Sequence, residues 1–154
     1  MGESLKLLAD GKLGRLARWL RLLGYDTAYD NVADDLALAR QARAEGRVLL
    51  TRDRELAARR GLRTLLIHSE TLEEQLQEVR QALGPSPYPP LSRCTVCNVE
   101  LSLVSPEDVA ERVPPYVLRT QSRFLECPRC GRVYWAGSHA RKIEEMLRRL
   151  GSDG

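Results

Sequence analysis

Apolar residues along the first half of the chain follow strand and helix patterns in turn. Residues 5–9 form a short apolar run that ends at Asp10. Residues 13–23 carry apolar side chains at three- and four-residue spacing, which predicts an amphipathic helix. Gly24 is suited to end that helix. The arginines of the same segment share another face of the helix, and they are Arg15, Arg18 and Arg21.

The same order of elements continues as far as residue 84. A capping box, Thr71 with Glu74, begins the last helix of the series. Short connections between alternating strands and helices predict a three-layer α/β/α domain with a parallel sheet and right-handed crossovers. The further strands are predicted at residues 25–29, 47–51 and 64–67, and the further helices at residues 36–45, 54–60 and 72–83.

Proline interrupts this pattern after residue 84. The sequence GPSPYPP of residues 84–90 cannot continue a helix and favours an extended linker. We therefore predict an α/β domain at residues 1–84, a proline-rich linker at residues 85–91, and a small second module at residues 92–154. Within the second module we predict a helix at residues 105–111, a strand at residues 132–135, and a C-terminal helix at residues 140–150 that is able to fold back on the first domain.

Composition and charge narrow the class of protein. Of the 154 residues, 43% are hydrophobic and 29% charged, and no apolar stretch reaches the roughly 20 residues of a membrane-spanning helix. The first residues lack a signal-peptide pattern, so we expect a cytoplasmic protein with no membrane partner. Residues 112–142 hold seven basic side chains against one acid. This excess suits a polyanion such as nucleic acid, and a solvated basic surface would explain it as well.

All four cysteines lie in two C-x-x-C pairs of the second module. Two such turns can close a tetrahedral site in which four thiolates bind one Zn²⁺ ion. Two disulfides are the alternative, and the expected reducing compartment favours zinc. Because a module this small needs a metal to fold, we predict a structural zinc without an open position for chemistry. The predicted ligands are Cys94, Cys97, Cys127 and Cys130.

Acidic residues follow the predicted strands of the first domain. Asp10 follows the first strand, Asp34 and Asp35 open the helix after the second, Asp53 follows the third, and Glu70 follows the fourth. Because parallel strands end at one edge of a sheet, these side chains can converge there. Converging carboxylates need a hard cation such as Mg²⁺ or Mn²⁺, and two such ions can promote phosphodiester cleavage. A single aspartate at such a position is also typical of a loop or a helix N-cap.

Three stretches of the sequence resemble a known family. They are residues 8–27 (LADGKLGRLARWLRLLGYDT), residues 46–53 (GRVLLTRD), and the paired cysteines with residues 134–139 (YWAGSH). Together they resemble the PIN-like ribonuclease domain family named after the C-terminal part of the Mut-seven exonuclease, over nearly the whole chain. The resemblance implies a PIN-like domain joined to a zinc ribbon and metal-dependent cleavage of RNA.

The resemblance also implies roles for individual residues. Asp10, Asp35 and Asp53 would be the acids that hold Mg²⁺ or Mn²⁺, and Asp34 could exchange roles with Asp35. The family's fourth acid corresponds only loosely to Glu70.

Basic and aromatic side chains are the candidates for RNA binding. Arg15, Arg18 and Arg52 can hold phosphates or pair with the neighbouring acids. Trp135 can stack on an unpaired base or fill the core of the ribbon, and His139 can contact a phosphate or simply lie in a first helical turn. The full candidate set is Arg15, Arg18, Arg52, Arg132, Trp135 and His139.

The sequence therefore predicts a metal-dependent endoribonuclease whose basic zinc ribbon assists RNA binding. One alternative is a non-catalytic module that binds RNA, a ribonucleoprotein particle or a regulatory partner. Another is a DNA nuclease of repair, because the contacts to the 2′-OH that separate RNA from DNA cannot be read from a sequence.

Overall fold

A computed structural model describes residues 5–151 of the chain, apart from the side chain of Ser138. Its first unit is built on a four-stranded parallel sheet, which confirms the predicted α/β class. The two central strands are almost entirely buried, which explains why their sequences show no polar alternation. From one edge to the other the strands are β2 (Asp26–Tyr29), β1 (Lys6–Ala9), β3 (Val48–Thr51) and β4 (Thr64–Leu66).

Helices cover both faces of this sheet. One face carries a 3₁₀ turn (Gly11–Leu13) continued by α1 (Gly14–Leu22), together with α4 (Leu72–Leu83), and the other face carries α2 (Asp35–Glu45) and α3 (Arg54–Ala57). The third helix is shorter than the predicted span of residues 54–60. Thr64 Oγ1 donates to the carbonyl oxygen of Ala57 at 2.8 Å, so a contact from the next strand takes the place of a further helical turn.

The larger hydrophobic core lies between the sheet and the face that carries α1 and α4. Leu7 and Leu50 of the sheet pack there against Leu16 and Leu20 of α1 and Leu76 of α4, all of them buried. Burying one such side chain contributes roughly 1.5–3 kcal/mol. The apolar residues of α1 thus face the core, as their spacing in the sequence predicted.

The second unit is a small antiparallel sheet with two short helices inserted in it. Its small core contains Val109, Val117 and Phe124. The sequence indicated the first of these helices, α5 (Pro106–Val109), but not the second, α6 (Pro115–Thr120), because Val117 is the one buried side chain of α6 and gives no periodic apolar stripe. The strands are β5 (Ser102–Val104), β6 (Phe124–Glu126) and β7 (Val133–Tyr134), in that spatial order, and the helices between β5 and β6 are α5 (Pro106–Val109) and α6 (Pro115–Thr120).

The C-terminal helix α7 (Gly137–Gly151) returns to the first unit. Ile143, Met146 and Leu150 of this helix are buried in the larger core beside α1 and α4. The α/β segment that begins at residue 5 and helix α7 therefore both build the first unit, and the second unit lies between two segments that are anchored on it. None of the helices described combines the length and the apolar composition that a membrane-spanning helix needs.

The segment that joins the two units crosses the end of α1. Tyr25 Oη donates to the carbonyl oxygen of Gly84 at 2.7 Å, and the Leu91 N–H donates to the carbonyl oxygen of Leu22 at 2.9 Å. Gly24 lies beneath this segment with φ of +102°, and a Cβ there would collide with the carbonyl oxygen of Tyr88. Only glycine allows both the backbone angle and the close approach.

We expect Gly24→Ala to lower the free energy of unfolding by about 3 kcal/mol or more, because it combines a left-handed backbone with a backbone clash. Gly46→Ala is the matched control, since Gly46 has φ of +66° but nothing lies within 4 Å of its added Cβ. The control should cost only about 1–2 kcal/mol in urea denaturation. Equal losses of unfolding free energy in both variants would show that the linker does not pack closely against Gly24.

Candidate functional site

The carboxyl ends of β1 and β3 bring Asp10 and Asp53 to one edge of the sheet, here called the acid edge. The Asp10 N–H donates to the carbonyl oxygen of Leu50 at 3.1 Å, so Asp10 extends the pairing of the two strands. Thr51 joins the two acids, because its hydroxyl donates to Asp10 Oδ2 at 2.6 Å and accepts from the Asp53 N–H at 3.0 Å. Two acids far apart in sequence therefore lie on either side of one buried hydroxyl.

Three of the candidate aspartates cap the helical turns that follow them. Asp10 Oδ1, Asp34 Oδ1 and Asp53 Oδ1 accept backbone N–H bonds at 2.8, 2.9 and 2.9 Å respectively, the last also accepting a second N–H at 3.3 Å. Asp35 is the exposed first residue of α2. The N-cap role that the sequence allowed is thus observed for Asp10, Asp34 and Asp53, and it fixes the carboxylates of Asp10 and Asp53 near the ends of β1 and β3.

The donor chemistry of the acid edge suits a hard cation, since carboxylate oxygens are what Mg²⁺ and Mn²⁺ prefer. Within residues 5–151, however, only the cysteines form a group of three or more metal-ligating side chains gathered closely enough to hold an ion. Asp10, Asp35 and Asp53 do not form a second such group. Binding of one cation by all three would therefore require their side chains to move closer together.

A carboxylate that the sequence did not single out holds the loop after β4. Glu78 of α4 accepts N–H bonds from His68 at 3.0 Å and from Ser69 at 2.7 Å. Burial alone would raise the pKa of Glu78, but these hydrogen bonds lower it below its ordinary value. Glu70, which follows β4 and which the sequence offered only loosely as a fourth acid, is exposed in the same loop. The contact of Glu78 crosses between elements, so no local pattern marks it.

The candidate arginines near the acid edge face solvent. Arg15 and Arg18 are exposed on α1, and Arg52 is exposed between β3 and α3. Within the described part of the chain, none of them forms an ion pair with an aspartate. The sequence allowed these arginines either to bind phosphates or to pair with the neighbouring acids, and the second role is not observed among the described residues.

The candidates of the second unit occupy different surroundings. Trp135 is half-buried against the small core, with its ring centroid 6.4 Å from that of Phe124, so it fills the ribbon core. His139 is exposed in the first turn of α7. Arg132 forms hydrogen bonds to Cys130 through its backbone and side chain, and these lower the pKa of the Cys130 thiol to about 6.

The four cysteines converge as the spacing predicted, with one ligand atom from each lying within 4.8 Å of the others. None of the four is joined in a disulfide, and the sulfurs of Cys94 and Cys130 are 3.7 Å apart. The set is thus able to hold a metal ion, and its all-sulfur chemistry fits tetrahedral Zn²⁺.

Two equivalent backbone turns carry these sulfurs, the first cysteine turn (residues 94–98) and the second cysteine turn (residues 127–131). In each turn the N–H of the second cysteine donates to the sulfur of the first at 3.4 Å. The next N–H donates to the carbonyl oxygen of the first cysteine at 2.9 Å. Asn98 and Gly131 hold this last position with φ of 64° and 81°. The turns are therefore preformed for thiolate ligands.

A half-buried tyrosine supports the first cysteine turn. Tyr134 Oη lies 3.2 Å from Cys94 Sγ and accepts the Thr95 N–H at 3.2 Å. Burial, together with this contact to sulfur, raises the pKa of Tyr134 to about 12. The phenol therefore stays protonated at neutral pH and can donate to the sulfur.

Arg21 fastens the first cysteine turn to the parallel sheet. Its guanidinium donates to the carbonyl oxygens of Thr95 at 2.9 Å and Val96 at 3.1 Å, and to that of Thr27 at 2.7 Å. Burial lowers the pKa of Arg21, and the charges of the nearby cysteine sulfurs oppose that shift. The sequence placed Arg21 on a face with two other arginines and gave no sign that it alone is buried.

Asn98 completes this contact on the edge strand β2. Its side chain accepts the Thr27 N–H at 3.0 Å and donates to Asp26 Oδ1 at 2.7 Å, and Arg47 Nη1 pairs with the same Asp26 oxygen at 2.8 Å. Burial alone would raise the pKa of Asp26, but the hydrogen bonds from Arg47 and Asn98 lower it below its ordinary value. An asparagine directly after a C-x-x-C pair, where a left-handed residue is needed, is the one local signal for this role.

We expect Arg21→Met to lower the free energy of unfolding by about 2–4 kcal/mol, since three carbonyl groups lose a charged donor in a buried place. Arg18→Met is the matched control, because Arg18 lies on the same helix but is exposed. The control should change stability by less than about 0.5 kcal/mol. Urea denaturation curves measure both, and equal midpoints would contradict the role assigned to Arg21.

Comparison with known proteins adds one finding. The family model described as Mut7-C RNAse domain matches residues 5–147, which include the acid edge, both cysteine turns and most of α7. Comparisons with curated proteins and with solved structures found no significant match.

Proposed function

Because the chain belongs to the Mut7-C RNase domain family, we propose that it is a metal-dependent endoribonuclease that hydrolyses RNA at the acid edge. The family supports ribonuclease activity. The observation that carries the choice of site is the hydrogen-bonded bridge from Asp10 through Thr51 to the backbone of Asp53. It joins two acids from different strands at the edge where open α/β sheets bind their ligands.

Asp10, Asp35 and Asp53 are the residues that would hold Mg²⁺ or Mn²⁺. Such a cation supplies an activated water and offsets the charge that develops on the phosphate. The Thr51 hydroxyl orients the Asp10 carboxylate, and the N-cap bonds of Asp53 keep its carboxylate at the end of β3. Arg52, exposed beside these acids, is placed to contact a phosphate of the substrate.

The cysteine centre is proposed to hold one structural Zn²⁺ ion. Four sulfurs fill a tetrahedral coordination shell and leave no position for substrate. A zinc ion with four thiolates carries net negative charge, which the buried guanidinium of Arg21 beside the first cysteine turn would offset. Reduced thiols of this kind are typical of the cytoplasm.

One observation favours a second candidate, a non-catalytic module that binds RNA or a ribonucleoprotein. Asp10, Asp34 and Asp53 act as caps, and the described acids do not gather as a metal group. An acid edge that serves only to terminate strands and start helices would look the same.

Cleavage of end-labelled RNA tests the nuclease proposal. We expect the zinc-loaded protein to cut single-stranded or structured RNA only when Mg²⁺ or Mn²⁺ is added. Asp10→Asn and Asp53→Asn should each reduce the rate at least about 100-fold, since changing even the outer-shell partners of a metal typically costs 10- to 100-fold. Asp108→Asn, a change of the same kind at an exposed acid of the second unit, should cut normally.

Two results would count against this assignment. RNA that is bound but stays intact with either metal would favour the non-catalytic module, as would undiminished cleavage by the two acid-edge variants. Faster cleavage of DNA than of RNA of the same sequence would instead identify DNA as the substrate.

Removal of zinc tests the structural role of the cysteine centre. We expect one zinc per chain by elemental analysis, and we expect chelation to abolish amide exchange protection in β5, β6 and β7, because structural zinc contributes on the order of 10 kcal/mol to such small modules. Protection in β1 and β3 should persist, since their core is built without the cysteines. Unchanged protection of the second unit after complete loss of zinc would contradict the proposal.

A further inference from the structure

A groove runs between α1, the end of β2 and the first cysteine turn. Arg15 and Arg18 line its helical wall, Tyr29 and Asn31 line its upper end, and Thr95 and Val96 form the opposite wall. Its volume is about 540 Å³, within the range of clefts that bind small ligands or segments of larger ones. Both units of the protein therefore contribute to one concave surface.

The groove carries positive charge. Among the described residues that line it, three are arginines and none has a carboxylate side chain. The guanidinium of Arg21 donates its hydrogen bonds to main-chain carbonyl groups. Arg15 and Arg18, in contrast, are exposed and form no ion pair within residues 5–151. Arg15 and Arg18 are one helical turn apart, about 4.5 Å along the axis. The surface suits a ligand with repeated negative charges.

The upper end of the groove opens beside the acid edge. Gly14, which lines the groove, follows the turn that Asp10 caps, and Tyr29 Oη donates to the carbonyl oxygen of Gly11 in that turn at 2.8 Å. A Cβ at Gly14 would lie 2.7 Å from this same hydroxyl oxygen, so the helix approaches β2 closely. The row of arginines thus leads from the acid edge toward the first cysteine turn.

We propose that this groove binds the phosphodiester backbone of single-stranded RNA and directs the strand to the acid edge. Arg15 and Arg18 pair with phosphates, and the first cysteine turn forms the opposite wall. The second unit therefore completes the substrate site instead of acting as a separate binding domain. A positively charged groove with an aromatic side chain on its wall is typical of sites for unpaired nucleic acid. This inference rests on the proposed ribonuclease function.

The first experiment measures binding of a fluorescent single-stranded RNA by anisotropy, with zinc-loaded protein and without Mg²⁺ or Mn²⁺. Arg15→Ala/Arg18→Ala should weaken binding at least about tenfold, because two charged hydrogen-bond donors are lost. The slope of log K against log salt should become shallower by about 1.4, the value for two contacts to single-stranded phosphates. Arg59→Ala/Arg60→Ala removes the same charge beyond α3, on the opposite face of the sheet, and should change neither quantity.

A second pair of variants tests whether the first cysteine turn of the second unit forms part of the groove. Val96 is 53% exposed, so a charged side chain fits there without disturbing the core. Val96→Lys should tighten RNA binding about threefold and Val96→Glu should weaken it by a similar factor. The same two changes at Leu103, which is 68% exposed on β5 and does not line the groove, are the controls.

The outcomes separate this inference from the nuclease proposal. Wild-type protein that binds RNA through the arginines but cuts nothing with Mg²⁺ or Mn²⁺ keeps the groove and rejects the catalytic site. Protein that cuts RNA while Arg15→Ala/Arg18→Ala binds and cuts as well as wild type rejects the groove alone. Equal affinity for duplex and single-stranded RNA, or equal losses in the control variants, also overturns the inference.

Discussion

The docking of the first cysteine turn on the edge strand β2 is the contact on which the arrangement of the two units depends. An edge strand leaves backbone groups without partners. Here the side chain of Asn98 accepts the N–H of Thr27, and Arg21 donates to the carbonyl oxygen of Thr27. Arg21 at the same time holds the carbonyl groups of Thr95 and Val96. One buried guanidinium therefore closes the edge of the sheet and orients the cysteine centre.

The path of the chain reinforces this contact. The second unit lies between a linker held over Gly24 and a helix, α7, that is buried in the core of the first unit. If the second unit unfolded, α7 would remain tied to α4 by a loop, and the entropic cost of closing a loop grows only slowly with its length. The first unit is thus able to keep its core while the groove beside α1 loses one wall.

At the acid edge, the side chains proposed to hold a metal ion are also the ones that end strands and begin helical turns. Asp10 and Asp53 end strands, begin helical turns and share Thr51, so their carboxylates are fixed by the same hydrogen bonds that stabilise the fold. Fixed carboxylates without a neighbouring cation repel each other. A site of this kind favours a positively charged partner, and its oxygen ligands suit a hard cation.

The sequence alone determined what depends on local patterns. Apolar spacing gave the strands and helices of the first unit and the face of α1, strand-end positions indicated Asp10 and Asp53, and C-x-x-C spacing indicated the four cysteines. The tertiary structure decided which of three equivalent arginines is buried, that Thr51 joins the two acids, that the small helix α6 exists, and that α7 belongs to the core of the first unit. Each of these depends on contacts between residues far apart in the chain, and periodicity carries no information about such pairings because it reports only how a segment divides its own faces between core and solvent.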